Sequence, residues 1–156
     1  MSLVNLLELR IPPLALTAVS AVAIALANIH APLVRIPFPG QKYASAALVL
    51  IGFLLAAFGV AQFRRSRTTV NPLSPNQAST VVTTGLYRVS RNPMYLGMAL
   101  VLLGVAVWGS ALAGYLLVLG FCWYLTRFQI IPEERALLAA FGEEFAQYMG
   151  RVRRWV

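Results

Sequence analysis

The sequence predicts an all-α integral membrane protein, with about four transmembrane helices and an amphipathic helix at the C-terminus. Three observations predict it. Hydrophobic residues make up 59% of the 156, against roughly 45 to 50% in ordinary soluble domains, and the mean hydropathy is +0.72. The apolar residues are gathered into runs near the roughly 17 to 25 residues that a helix needs to cross a hydrocarbon layer. The basic residues sit at the ends of those runs.

The length suits one domain, 1–156. The net charge of +8 comes from 13 Lys plus Arg against 5 acids, a balance that in a soluble protein would suggest nucleic acid. Here the cations flank apolar segments and form no continuous patch, so membrane lipids are the expected partners and nucleic acid is not. Cys122 is the single cysteine, and no intrachain disulfide can form.

The first span is read as 11–29, with Pro12 and Pro13 at a helix start that tolerates them. Glu8 and the lack of a distinct cleavage site mark it as a retained span and not a signal peptide. Pro32, Pro37, Pro39 and Gly40 make a loop, and the second span, 43–63, is uncharged until Arg64, Arg65 and Arg67 stop it. A connector, 64–93, follows. Its stretch 66–84 is polar and aperiodic, a loop at the membrane surface. The third span, 94–108, is short, and only Gly109 and Ser110 separate it from the fourth, 111–131, so the two form a tight helical hairpin. From 133 to 152 the period changes. Leu137, Leu138, Phe141, Phe145, Tyr148, Met149 and Val152 recur every three or four residues, which describes an amphipathic helix on the membrane surface or folded back over the mouth of the bundle.

With four spans and both ends inside, eleven basic residues face the cytoplasm and two, Arg35 and Lys42, face outward. The connector and the C-terminal helix therefore share one side. The expected location is a prokaryotic plasma membrane, with the active site toward the cytoplasm.

The connector from Thr80 to Gly97 is too rich in chemistry for a tether. Asn92-Pro93 is in helix-start order, Asn as N-cap and Pro at the first helical position. Capping alone would explain it. A helix start inside a cavity also offers free N–H groups and a positive dipole end to a carboxylate, and Arg91 is placed to add a charge-assisted bond. Gly97 and Gly104, two turns apart, suggest close helix packing. Trp108, Trp123 and Trp155 read as interfacial belt residues. Glu133 and Glu134 follow Pro132 at the end of a span, where carboxylates need water or a cation. Glu134 fits a solvated helix-start acid, and Glu133 fits an inward group holding an ammonium. His30 and Cys122 have no companions for a metal site or a nucleophilic triad.

Taken together, Gly85-Leu86-Tyr87, Arg91-Asn92-Pro93-Met94-Tyr95-Leu96-Gly97 and Glu133-Glu134, with Phe141-Gly142-Glu143-Glu144-Phe145 and Tyr148, resemble a known group. It is the isoprenylcysteine carboxyl methyltransferase and phospholipid methyltransferase group of integral membrane enzymes, and the resemblance runs over residues 67–153. It implies methyl transfer from S-adenosylmethionine to a lipophilic or membrane-accessible acceptor, with the C-terminal helix covering a cytoplasmic-side cofactor pocket. The implied cofactor-binding residues are Ser79, Thr80, Val81, Val82, Tyr87, Arg91, Asn92, Pro93, Met94, Tyr95 and Glu133. The cofactor's carboxylate suits the helix start with Arg91, its ammonium suits Glu133, and its adenine suits apolar and aromatic walls.

Two positions depart from the family pattern. Its histidine is Asn92 here, which hydrogen-bonds but cannot carry a proton at neutral pH. Its arginine four residues before the cofactor glutamate is Gln129, with Arg127 two positions away. Gln129 and Arg127 are the catalytic candidates, and carboxylate, amine and thiol acceptors stay open. Two other classes compete. An NADPH-dependent membrane reductase of the sterol reductase type would want further cations for its phosphates and a longer bundle. A non-catalytic membrane bundle would keep the connector for packing alone.

Overall fold

Proline and arginine set the helix limits. The computed structural model describes residues 8–65 and 80–156. Pro12 caps helix α1 (Pro13–His30), with Pro13 at its first position. Helix α2 (Gln41–Arg65) runs 25 residues and ends on Arg64 and Arg65. A 3₁₀ turn, Gly85–Arg88, precedes α3 (Pro93–Gly109). Helix α4 (Leu112–Leu125) passes through a π-helical turn, Thr126–Ile130, into α5 (Ile131–Arg151). Among the described residues, three helices are long and apolar enough to cross a membrane: α1, α2 and the continuous helix Leu112–Arg151. Helix α3 has 17 residues, about 25 Å at 1.5 Å per residue, which is short of a hydrocarbon layer of about 30 Å.

Helix α3 is the centre of the bundle and packs on α1, α2 and α4. Its contact with α2 is backbone on backbone. A Cβ at Gly52 would lie 2.6 Å from the Gly97 carbonyl oxygen, and one at Gly97 would lie 2.5 Å from the Gly52 oxygen. Two turns along, Ser45 Oγ donates to the Gly104 carbonyl at 2.7 Å. This is the close packing that the spacing of Gly97 and Gly104 predicts. The main core, with Ile24, Tyr95, Leu102, Phe121, Leu125 and Ile130, surrounds the helix. A second core of Val82, Tyr87, Phe145, Tyr148 and Val152 lies where the connector meets α5.

Pro132 does not separate a fourth span from a C-terminal helix; the chain runs through it. A proline denies an N–H to the carbonyl four residues back and its ring crowds that carbonyl. The π turn just before it opens the helix, and the freed Phe128 carbonyl accepts a bond from Leu9 N at 3.0 Å. The reversal comes ten residues later, at Gly142, whose φ of 52° and ψ of −124° interrupt α5. An L side chain rarely takes that conformation, so the amphipathic segment is a continuation of the long helix that folds back only after this glycine.

At the other end of the bundle, Ser110 takes the left-handed conformation (φ 56°) and closes α3. Gly109 stays helical, and a Cβ there would sit 2.1 Å from Asn28 Cγ. That glycine serves the approach of α1, while the serine makes the turn. Ile36 N donates to the Ser110 carbonyl and Leu112 N to that of Val34, tying the first loop to the hairpin.

Candidate functional site

The connector is pinned on both sides. Gln62, in the last turns of α2, donates through Nε2 to the Thr84 carbonyl and accepts from Leu86 N through Oε1, each at 3.1 Å. Gly85 crosses directly over this side chain with φ 57°, and a Cβ there would overlap Gln62 Nε2 at 1.7 Å. The turn directs Tyr87 inward, 3% exposed, with Phe63 edge-on at 5.2 Å. From the tail side, Tyr148 donates to the Tyr87 carbonyl at 2.8 Å. Arg91 N then donates to the Arg153 carbonyl, and Asn92 Nδ2 to that of Arg154, both at 3.0 Å.

Under this seam lies a three-residue charge cluster. Glu134 accepts from Arg91 Nη2 at 2.7 Å and Nε at 3.2 Å, and from Arg154 Nη2 at 2.7 Å and Nε at 3.1 Å. Arg91 Nη1 also donates to the carbonyls of Met149 and Val152 at 3.0 and 2.6 Å. The Arg91 and Glu134 side chains are each about 10% exposed. Glu134 is therefore a buried, doubly paired anion and not the solvated helix-start acid that its position suggests. Arg91 spends its guanidinium on this cluster and on two carbonyls of the tail.

Glu133, the neighbouring residue, points into a different environment. Tyr95 donates to its Oε1 at 2.5 Å and Gln129 Nε2 to the same oxygen at 2.6 Å. Gln129 is 2% exposed and sits in the π turn. The Tyr87 hydroxyl is buried with no hydrogen-bond partner. Burial pushes this phenol far above its ordinary range, and the nearby Tyr148 and Glu133 groups push it further. A carboxylate fixed by two donors thus lies within electrostatic reach of an orphaned hydroxyl, and buried polar groups in folded proteins ordinarily have partners.

The predicted residues divide accordingly. Val82, Tyr87, Pro93 and Tyr95 are buried, Val81, Arg91, Asn92, Met94 and Glu133 are half-buried, and Thr80 is exposed. Ser79 lies outside the described residues. Asn92 takes the N-cap position of α3 without a side-chain cap bond; its amide is used on the tail, and Ser90 Oγ accepts the Asn92 N–H instead, at 3.1 Å. Gln129 and Arg127, the two catalytic candidates, diverge. Gln129 joins Glu133, whereas Arg127 Nη1 pairs with Glu8 at 2.9 Å and Glu8 also pairs with Arg135. Trp108 and Trp123 are exposed as interfacial residues should be, but Trp155 is half-buried and donates to Thr126 Oγ1 at 3.2 Å. Of the parts that sequence reasoning missed, Glu134 meets Arg154 across 20 residues and Arg91 across 43, which no local spacing announces, whereas Ser90 serves Asn92 two residues on.

These features define a helical membrane-type protein whose candidate site, the polar cluster around Glu133 and Glu134, lies at one end of the bundle where the connector meets the C-terminal arm. The chain belongs to the phospholipid methyltransferase family, whose sequence model matches residues 41–144. That range holds α2, the connector, α3, α4 and the first arm of α5. An uncharacterised protein of Haemophilus influenzae is 42% identical over 64 residues, which is 40% of this chain and all of the relative. No solved structure matches the chain.

Proposed function

We propose that the protein transfers a methyl group from S-adenosylmethionine to a lipophilic acceptor that reaches the site from the bilayer. The observation that carries this reading is Glu133, held by Tyr95 and Gln129 at the start of α3 beside the unpartnered Tyr87 hydroxyl. The chemistry fits the cofactor's amino-acid end. Glu133 is suited to the ammonium, and the first amides of α3, at Met94 and Tyr95, are suited to the carboxylate because helix starts leave N–H groups unspent. Val81, Val82 and Tyr87 offer apolar and aromatic wall to the adenine, with Thr80 leading into it. When bound, S-adenosylmethionine supplies an electrophilic methyl on a sulfonium.

What the chain contributes is position and dryness. Tyr95 and Gln129 fix the direction of the carboxylate, and Pro93 and Asn92 set the angle at which α3 begins. Arg91 works at one remove: through Glu134 it holds the tail over the site and does not reach for an anion. Keeping water out matters because dispersal of charge in a methyl transfer is favoured in a site that aligns donor and acceptor without solvent. Gln129 is the acceptor-side candidate, since Arg127 is paired with Glu8. The family points to a lipid-related acceptor, and carboxylate, amine and thiol remain its open chemistry.

Calorimetric titration with S-adenosylhomocysteine, beside NADPH, tests the reading in the wild type and in Glu133→Ala. The expected result is saturable binding of S-adenosylhomocysteine that weakens at least about tenfold in the variant, a loss of about 1.4 kcal/mol. Binding of NADPH alone would move the chain to a reductase chemistry. Binding of neither by folded protein would leave the site a packing device.

A further inference from the structure

The opposite end of the bundle carries a cleft of about 840 Å³. It lies between α1 and α2 and is floored by α3, with Ala25, Ile29, Val49, Val105 and Trp108 as apolar wall. Its size is within the range of roughly 300 to 1,000 Å³ typical of ligand sites. Helices α1 and α2 pack on α3, and their outward residues, including Val22, Leu26, Ile29 and Leu50, are exposed and apolar. In a bilayer these lipid-facing residues flank the cleft on both helices.

Its polar end is selective. Asn28 lines the cleft and is 8% exposed; its Nδ2 is spent on the Val105 carbonyl, and its Oδ1 is buried on the side of Gly114 of α4, away from the cleft. Arg35 stands at the rim, its guanidinium held by the carbonyls of Asn28 and Gly109, each at 3.0 Å. Lys42 lies with Nζ 5.8 Å above the Trp108 ring. All five acids of the chain, Glu8, Glu133, Glu134, Glu143 and Glu144, belong to the other end of the bundle or to its tail. The cleft thus combines apolar walls with one cation, Arg35, in its lining and a second, Lys42, over its Trp108 wall, and no acid lies at this end.

We propose that this cleft binds an anionic phospholipid, with a chain between α1 and α2 and the phosphate toward Arg35 and Lys42. The site is separate from the methyl-transfer site and does not depend on that reading. Phosphate recognition by cations and chain burial by apolar walls are the two halves of lipid binding.

Native mass spectrometry of the full chain in detergent tests this with chain-matched phosphatidylglycerol, phosphatidic acid and phosphatidylcholine, using wild type, Lys42→Gln and Ala25→Trp. Both substituted residues are exposed, and thermal unfolding of each variant checks that the fold survives. The expected result is retention of phosphatidylglycerol and phosphatidic acid about tenfold above that of phosphatidylcholine. Lys42→Gln should erase most of the preference for anions, and Ala25→Trp should fill the cleft and abolish retention of all three. Equal retention of the three lipids, or retention untouched by both variants, would mean nonspecific annular lipid and overturn the proposal. A second copy of the chain appearing in place of lipid, and lost in Ala25→Trp, would overturn it in favour of a self-interface.

Discussion

Two adjacent glutamates show how far side-chain fate departs from position in the sequence. Glu133 and Glu134 differ by one residue on a helix, about 100° of rotation, and that is enough to send one toward Tyr95 and Gln129 and the other between two arginines. Their substitutions should separate cleanly. Glu134→Gln removes the charge that satisfies Arg91 and Arg154, leaving a guanidinium about 10% exposed beside a neutral amide. Breaking a buried pair costs roughly 3 to 5 kcal/mol; because the Arg154 side chain is 34% exposed, the lower end, about 3 kcal/mol, is expected in chemical unfolding of the micelle-bound protein. Glu133→Gln keeps an acceptor for the Tyr95 hydroxyl and loses only charge. Its stability should change by less than about 1 kcal/mol, while affinity for S-adenosylhomocysteine drops tenfold or more, since charge-assisted bonds are about twice as strong as neutral ones. A reversed pattern, with Glu133 carrying stability and Glu134 carrying affinity, would mean the two roles are exchanged.

At the scale of elements, the site exists because α5 turns back. Gly142, with its positive φ, brings Phe145 and Tyr148 against Val82 and Tyr87, and the arm beyond it carries Arg154 to Glu134. Gly142→Ala should cost about 1 to 3 kcal/mol, the range for a residue forced into a sparsely populated conformation, and should weaken S-adenosylhomocysteine binding in proportion. Gly150, in the helix with open space at its missing Cβ, is the control: Gly150→Ala should be neutral or stabilising by up to about 1 kcal/mol. The N-terminal residues form a second brace, in which Leu9 N bonds the Phe128 carbonyl and Glu8 pairs with Arg127 and Arg135. Burial acts to raise the Glu8 carboxyl, but the bond from Arg127 and the charge and bond of Arg135 outweigh it and hold it below its ordinary value. A depressed folded pKa means that stability is present above the ordinary carboxylate range and is lost as the pH falls below it. Hydrogen exchange at the Leu9 amide, corrected for intrinsic rates, should therefore accelerate on acidification through that window, by up to about fivefold for a partly exposed pair worth at most about 1 kcal/mol. Glu8→Gln should show the faster exchange at every pH.

For the whole molecule, the helices were legible and their joints were not. Apolar length, the prolines at 12, 13 and 93, and the arginines at 64 and 65 placed α1, α2 and α3 within a few residues, because burying apolar surface and stopping at charge are local decisions. Pro132 misled, since its effect depends on a π turn and on Leu9, which the sequence does not show to be neighbours. Glu133 was legible as a site candidate from its place after Pro132 at the end of a span and Tyr95 only through the family resemblance, whereas Glu134 and Arg154 meet only through the reversal at Gly142. The same ends-of-helices logic gives a prediction about orientation. The loop 31–40 and the hairpin at Ser110 share one end, joined by the bonds of Ile36 and Leu112, and the described basic residues there are Arg35 and Lys42. The other end holds Arg10, Arg64, Arg65, Arg88, Arg91, Arg127, Arg135, Arg151, Arg153 and Arg154, and arginine excess near span ends marks the cytoplasmic side. In a Cys122→Ser background, a membrane-impermeant maleimide applied to intact cells should label the Phe38→Cys variant and spare Val156→Cys until the cells are permeabilised. The opposite result would put the site outside the cytoplasm, away from the cellular supply of S-adenosylmethionine, and would count against the methyl-transfer reading as well as the orientation. Labelling of both from outside would mean an odd number of crossings, and the 17-residue α3 would then be the helix that fails to span.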